Sequence, residues 1–511
     1  MADTTTTMKL VGRDIIYADS AEITADNIGE ILQKAKSSHD TNRTAIDYLY
    51  KYYKGDQPIL NREKIYNPDI NNKVVENEAH AITDFKTGYF LSAPIQYIDA
   101  ANNDAAETYD NSDLIKLSGW CTLKNMDAVN LEVATWQSIC GLGYKMVVPN
   151  DNRIDDDDAP FIAYSLDPRD TFCIYSSRLG HKKLAGVTYV TLQDNSIRYY
   201  VYTDKDYFVL NDNFEDASDD IDKSGSHSLG AIPIFEYPLN AARIGDFEIV
   251  IALLDALNNV QSNRVDGIEQ IIQSILCLEG VEIMPEADET QAEAEANFMK
   301  QLKEVGGLLL PKDAKAYYLT NQLNQGDTQT LKDDIYKSIL RIVGIPDRSN
   351  GSTNGDTGSA IMLRNGFAEA EARAKNTETY FKKSEREFLN LLINICNTIG
   401  GMNILPSDVD IRFPRRNYTN DSANVSNLVT MLSNEWITPE FAYLHSNLTP
   451  DPHKDYLLAK EWHDKQESNE IDSLMKQDDD VESKQPARLD NGEPVLVSNE
   501  GNVDEGNNEG Q

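Results

Sequence analysis

Cationic side chains are scarce in this chain of 511 residues: 47 Lys and Arg stand against 84 Asp and Glu, a formal charge of −37 with a pI near 4.5. A conventional DNA binder is basic. Contact with nucleic acid must therefore be local here, or must benefit from not sticking. Cysteine is nearly missing. Cys121, Cys140, Cys173, Cys277 and Cys396 are odd in number, far apart and never C-x-x-C, which speaks against a disulfide framework or thiolate zinc site and fits a reducing compartment. No run of 18 apolar residues occurs, and Met1-Ala2-Asp3 followed by four threonines lacks the basic and apolar parts of a signal segment. The expectation is a soluble chain that is not secreted and touches no membrane, in which triplets such as Asn42-Arg43-Thr44 are chance matches to a glycan site.

Catalytic signatures are missing too. There is no G-x-x-x-x-G-K-[ST] phosphate cradle, Gly141-Leu142-Gly143 lacks the third glycine of a dinucleotide loop, and no G-x-S-x-G elbow occurs. The seven histidines (His39, His80, His181, His227, His445, His453, His463) show no metal-ligand spacing. Asp356-Thr357-Gly358-Ser359 imitates an aspartic-protease loop, but that chemistry needs two acids sharing a proton. Here the tetrapeptide runs into a helix, with Asp356 expected as its N-cap. The run Asp155 to Asp158 lacks the glycine and terminal glutamate of a calcium loop and reads as a solvated turn. The reading is not an enzyme, no cofactor and no metal.

What is present is a core-forming chain, 40% hydrophobic, with a length prior of about three domains. Residues 25 to 54 read as a helix rich in tyrosine at its end. Val75, Ala79, Ile82 and Phe85 predict a second helix over 72–91, and a third is expected over 112–138. Between about 143 and 237 the period changes to two, predicting antiparallel strands at 144–148, 161–166, 171–175, 184–191, 197–203 and 207–210. From Asp246 a long helix carries the stripe Val250, Leu253, Leu257, Val260, Ile268, Ile271, Ile272 and Ile275, which needs a partner. Strands are expected at 281–284, 307–310 and 316–319, and a second helix over 331–343. Residues 344–358 hold four glycines and predict an exposed loop. The 4-3-4-3 spacing from Leu363 through Phe367, Phe381, Phe388 and Ile395 then predicts one helix of about 40 residues, roughly 60 Å long. A strand at 409–413 and short helices at 422–434 and 438–446 follow, with Leu457, Leu458 and Trp462 on a last amphipathic piece. The tail from 464 is too polar to offset its ordering entropy. The class is α+β, mainly helical.

This order resembles the portal proteins of long-tailed, double-stranded DNA bacteriophages. The stretches that carry it are Tyr53-Lys54-Gly55-Asp56, Asn71-Asn72-Lys73-Val74-Val75-Glu76-Asn77 leading to Lys86-Thr87-Gly88-Tyr89-Phe90-Leu91, Asp167-Pro168-Arg169, and Ile232-Pro233 with Asn240. Further on come Asp246-Phe247-Glu248, Leu254-Asp255-Ala256-Leu257-Asn258, Gly344-Ile345-Pro346 and Gly358-Ser359-Ala360-Ile361. The resemblance implies a ring of about twelve subunits around a central channel at one capsid vertex. Double-stranded DNA passes through without sequence specificity, packed by a terminase motor, and a head-completion adaptor, scaffold and major capsid proteins are further partners. The place is the virion, with the host cytoplasm during assembly.

Regions follow from the same resemblance: an N-terminal arm, partly disordered (1–24), wing (25–240), stem helix (241–277), clip (278–325), second stem helix (326–343), tunnel loop (344–358), a long helix from channel to wing (359–400), wing end and crown (401–463) and an acidic disordered tail (464–511). The tunnel loop offers Arg348, Asn350, Ser352, Thr353, Asn354 and Thr357, mostly short and neutral, suited to grazing a phosphate backbone. Lys300, Lys303, Lys312 and Lys315 are expected as a docking surface for motor and adaptor, and Leu253, Leu257, Val260, Ile268, Ile271 and Ile275 as stem packing. Another ring-forming or scaffold component of a phage head shares the helices and acidity, and ring symmetry with an open channel separates the two. An acid-dependent hydrolase requires converging carboxylates, which the spacing does not reveal.

Overall fold

The computed structural model describes residues 12–65, 68–100, 112–153, 155, 157–219, 222–272, 275–281, 283–285, 289–305, 314–319, 325–347, 366–414, 421–446, 448, 452, 455–466 and 468. The fold is α+β, about half helical, in two units divided after residue 420.

In the first unit a short strand β1 (Ile16–Ala18) precedes helix α1 (Ile28–Tyr53). The buried face of α1, Leu32, Ala35, His39, Asn42, Ile46, Leu49 and Tyr52, follows three-and-four spacing. Helix α2 (Glu78–Phe90) starts six residues later than its pattern predicts, because side chains of a distant helix capture the backbone of residues 72–76, described below. Strand β2 (Gln96–Asp99) follows. The single helix expected over 112–138 is two, α3 (Ser112–Leu123) and α4 (Met126–Cys140). They are broken at Asn125, whose φ of 52° is a left-handed conformation that asparagine tolerates.

The period-two region forms β3 (Leu142–Pro149), β4 (Phe161–Leu166), β5 (Thr171–Ser176), β6 (Lys183–Thr191), β7 (Ile197–Tyr202) and β8 (Asp206–Leu210). With β9 (Gly225–Ser226) and β10 (Ile234–Pro238) they divide between two sheets, ordered β1-β5-β6-β7-β8-β9 and β10-β3-β4. All their pairings are antiparallel except β1 on β5.

After a 3-10 turn at Glu248–Val250 comes helix α5 (Ile251–Ile272). Ile275, expected on that helix, lies instead on strand β11 (Ile275–Glu279), opposite Leu319 of β12 (Lys315–Leu319). The alternating Ile275, Cys277 and their partners Leu319 and Tyr317 suit a pleated pair better than a helical turn. The strand expected at 281–284 is displaced to β11 as well, since Gly280 at φ 77° ends the pairing. Residues 307–310 lie outside the described residues. Between the strands lies α6 (Gln291–Val305), and α7 (Gln325–Val343) begins earlier than residue 331.

The long helix α8 runs over Phe367–Gly400, 34 residues, with Gly366 at its N-cap position. Asp356, expected as the N-cap, and Leu363 lie outside the described residues. The helix's buried residues Ala370, Ala374, Phe381, Ser384, Phe388, Leu391 and Ile395 keep the predicted spacing. Strand β13 (Val409–Arg412) pairs with β2.

Three cores result. One lies between α1 and the six-stranded sheet; a second joins α1, α2, α4 and β3 to the start of α5 and the end of α7; a third packs α8 against α3, α4 and the three-stranded sheet. The second unit contains α9 (Asp421–Leu432), α10 (Pro439–Ser446) and a helical stretch over 455–466. The polar tail beyond residue 468 lies outside the described residues.

Candidate channel, docking and stem regions

The stem candidate begins at the root of α5, where each residue of Gly245-Asp246-Phe247-Glu248 has a buried task. Asp246 donates its N–H to the Ser138 carbonyl at 2.8 Å, and burial pushes its carboxyl above the usual range while the nearby Lys86 opposes this. Phe247 is fully buried and stacks on Tyr52, centroids 6.0 Å apart. Glu248 pairs with the buried Arg13 and accepts the N–H groups of Gly12 at 3.2 Å and Gly245 at 3.0 Å. One carboxylate thus ties the chain just before β1 to the turn that leads into α5, satisfying its own oxygens in doing so.

Farther along α5, Asn258, Ser262 and Asp266 are buried polar residues four apart, hence on one face. Opposite them residues 72–76 run extended. Asn72 N–H donates to Asp266 Oδ1 at 2.7 Å, Val74 N–H to Ser262 Oγ at 3.0 Å and Glu76 N–H to Asn258 Oδ1 at 2.8 Å. Two residues of extended chain advance about 6.6 Å and four helical residues about 6.0 Å, so the two repeats stay in step. Asp266 also receives Arg62 at 3.3 Å, Lys64 and the Asn72 amide; burial works to raise its carboxyl, but the bonds from Lys64 and from the Asn72 backbone and side chain hold it below the usual range. Two stretches that carry the portal resemblance, 71–77 and 254–258, are therefore contact partners. Asn258, Ser262 and Asp266 were missed by the apolar reading of this helix, although their polar i, i+4, i+8 spacing was visible.

The apolar candidates divide. Leu257 is fully buried, Leu253 and Val260 are half-buried, and Ile268 is 47% exposed; Val265, which the predicted stripe did not include, is 40% exposed. Ile271 lies on the last turn of α5 and Ile275 on β11. Leu254 and Leu257 pack with Ile339 and Val343 of α7, and Arg264 donates to Gln329 Oε1 at 2.6 Å across the pair. The core-facing half of the stripe is used within the subunit, and Val265 and Ile268 are left outward.

Of the lysine candidates, Lys300 is exposed on α6, Lys303 lies on the same helix, Lys315 is exposed at the start of β12, and Lys312 is outside the described residues. The loop candidates Arg348, Asn350, Ser352, Thr353, Asn354 and Thr357 also lie outside them. The loop's described flanks are Gly344-Ile345-Pro346-Asp347 and Gly366.

Helix α8 is fixed in the body by a buried hub. Glu385 Oε2 accepts Lys145 Nζ at 2.6 Å and Tyr237 OH at 2.6 Å, and Oε1 accepts Tyr97 OH at 2.6 Å. Lys145 also donates to Asn130 Oδ1 at 2.8 Å and sits 3.8 Å over the Phe388 ring. Both ionic side chains are fully buried. Burial pulls the lysine below its ordinary range and Glu385 opposes that. Five elements, α4, β2, β3, β10 and α8, meet here.

Among the described residues no helix is long and apolar enough to cross a membrane, and no group of three His, Cys, Asp or Glu could hold a metal ion. The cysteines are unpaired and four are buried. Burial raises Cys140, Cys173 and Cys396 to about 12.

The family described as "Phage portal protein, SPP1 Gp6-like" matches residues 32–474. No curated protein matches the chain. A solved structure titled "Neck of empty GTA particle computed with C6 symmetry" is 8% identical, with a TM-score of 0.41, over 73% of this chain and 90% of that one.

Proposed function

The chain belongs to the SPP1 Gp6-like family of phage portal proteins, a family of structural proteins of the phage particle, and on that premise we propose that about twelve copies form a ring at one capsid vertex. Double-stranded DNA enters through the ring, driven by a terminase motor, and leaves through it later. A head-completion adaptor replaces the motor, and scaffold and major capsid proteins surround the ring during assembly in the host cytoplasm. In this reading α5 and α7 are the stem, the β11–β12 hairpin with α6 is the clip where Lys300, Lys303, Lys312 and Lys315 face motor and adaptor, and residues 25–240 with 401–463 make wing and crown.

The observation that carries the reading is the outward apolar pair Val265 and Ile268 on a helix whose other face is already satisfied within the subunit. Such a face is what a ring neighbour covers. The charge agrees: about twelve copies at −37 each place roughly −440 formal charges around one channel, and a conduit must not hold the polymer it conducts. The loop residues Arg348, Asn350, Ser352, Thr353, Asn354 and Thr357 line the narrowest point as short, mostly neutral groups. Replacing Gly351 and Gly355 by alanine to stiffen the loop should reduce packaged or retained DNA while rings still form; unchanged packaging and retention would remove the loop from the mechanism.

A further inference from the structure

Helices α7 and α8 flank the glycine-rich segment, and a side chain of α8 reaches the end of α7. Helix α7 stops at Gly344, φ +69°, and the Ile345 N–H returns to the Leu340 carbonyl at 2.9 Å, the six-to-one closure of a Schellman cap. The neighbouring Ile342 carbonyl belongs to the helix end that carries partial negative charge. Arg373, in the second turn of α8, donates from Nη1 to that carbonyl at 2.7 Å and from Nη2 to Glu369 Oε1 at 2.7 Å. The planar guanidinium holds its own helix with one nitrogen and the end of α7 with another, a geometry that lysine cannot reproduce.

Gly344 lies against this fork. A Cβ at that position would fall 2.3 Å from Arg373 Nε and 2.6 Å from Cζ, so the position requires glycine for its positive φ and again to leave room for the arginine. Among the described residues α7 packs chiefly on α5 and only marginally on α8. A cavity beside the contact is lined by Arg373, Lys86 of α2 and the half-buried Asp246 that precedes α5. Ala370 and Ala374 of α8 line the same cavity.

We propose that Arg373 is a positioning residue that fixes the end of α7 to α8, so that the segment between them leaves and re-enters the body at one set place. Its consequence rests on the portal reading: in a ring, Arg373 sets where the glycine-rich segments stand in the channel. The bond joins a charged donor to a helix terminus, so its loss should be felt first at the last turn of α7 and little in the cores.

The test uses the full-length assembled protein with Arg373→Ala, Arg373→Lys and Gly344→Ala, read by hydrogen–deuterium exchange, thermal unfolding and the DNA held by particles. Arg373→Ala and Gly344→Ala should speed exchange at residues 340–345 about tenfold, the scale of one charge-assisted hydrogen bond. Arg373→Lys should keep the wild-type melting temperature yet exchange as fast as the alanine variant, and its particles should hold less DNA. Unchanged exchange in Arg373→Ala overturns the proposal. So does a melting temperature lowered equally by lysine and alanine, since that marks a merely structural arginine. Faster exchange with unchanged DNA supports the tie between the helices and counts against the portal role of the segment. Should Gly344→Ala fail to assemble, the two arginine variants still decide.

Discussion

Glu385 has three donors on its two oxygens and no exposed surface. Removing one partner of such a pair leaves the other charge buried and unpaired, which costs about 3–5 kcal/mol. Glu385→Leu should lower the unfolding free energy from denaturant titration by that much, and the double variant Lys145→Met, Glu385→Leu should recover most of the loss. An additive double variant would deny the coupling. His39 offers a test by pH. It is stacked on Phe172 with its Nε2 3.0 Å from the Arg169 carbonyl, and burial pushes it down from 6.5 to about 4. The folded state holds it neutral while the unfolded chain binds a proton below 6.5, so this residue makes stability fall as pH drops from 6.5 to 4, by on the order of 3 kcal/mol in all. His39→Gln should flatten that slope in melts across this window. Neither residue was legible in the sequence. Glu385 sits in the polar run Lys382-Lys383-Ser384-Glu385-Arg386, and only the partners brought by β2, β3 and β10 make it internal.

At the scale of elements, the strands between 142 and 210 were legible because alternation is written locally in each one. Helix α8 was legible because one face repeats over 34 residues. The late start of α2 was not, since the groups that hold residues 72–76 extended lie between 182 and 194 positions away. Nor was the end of α5, where a strand pairing with residues 315–319 takes over the apolar run. The strap on α5 makes its own prediction. Ser262→Ala leaves the Val74 N–H without its acceptor, at a cost of about 1–3 kcal/mol, and exchange should quicken at residues 72–76 before it does in the sheets. Uniform quickening throughout the unit would mean that the strap is no separate element.

For the whole molecule, the division of the stem stripe separates folding from assembly. Leu257 is fully buried within the subunit and Ile268 is 47% exposed. Leu257→Asp should therefore unfold the subunit itself, whereas Ile268→Asp should leave its melting and circular dichroism intact and abolish the ring. An Ile268→Asp protein that still assembled would show that this face is not the interface. The ring is the part of the function that no single chain displays, because its contacts lie between copies. The measurement that bears on it most directly is the native mass of the purified full-length protein, taken with negative-stain images of the same sample. The account predicts rings of about twelve 57.3 kDa subunits around an open central channel; a compact monomer or dimer, unchanged when scaffold protein is supplied, would contradict it.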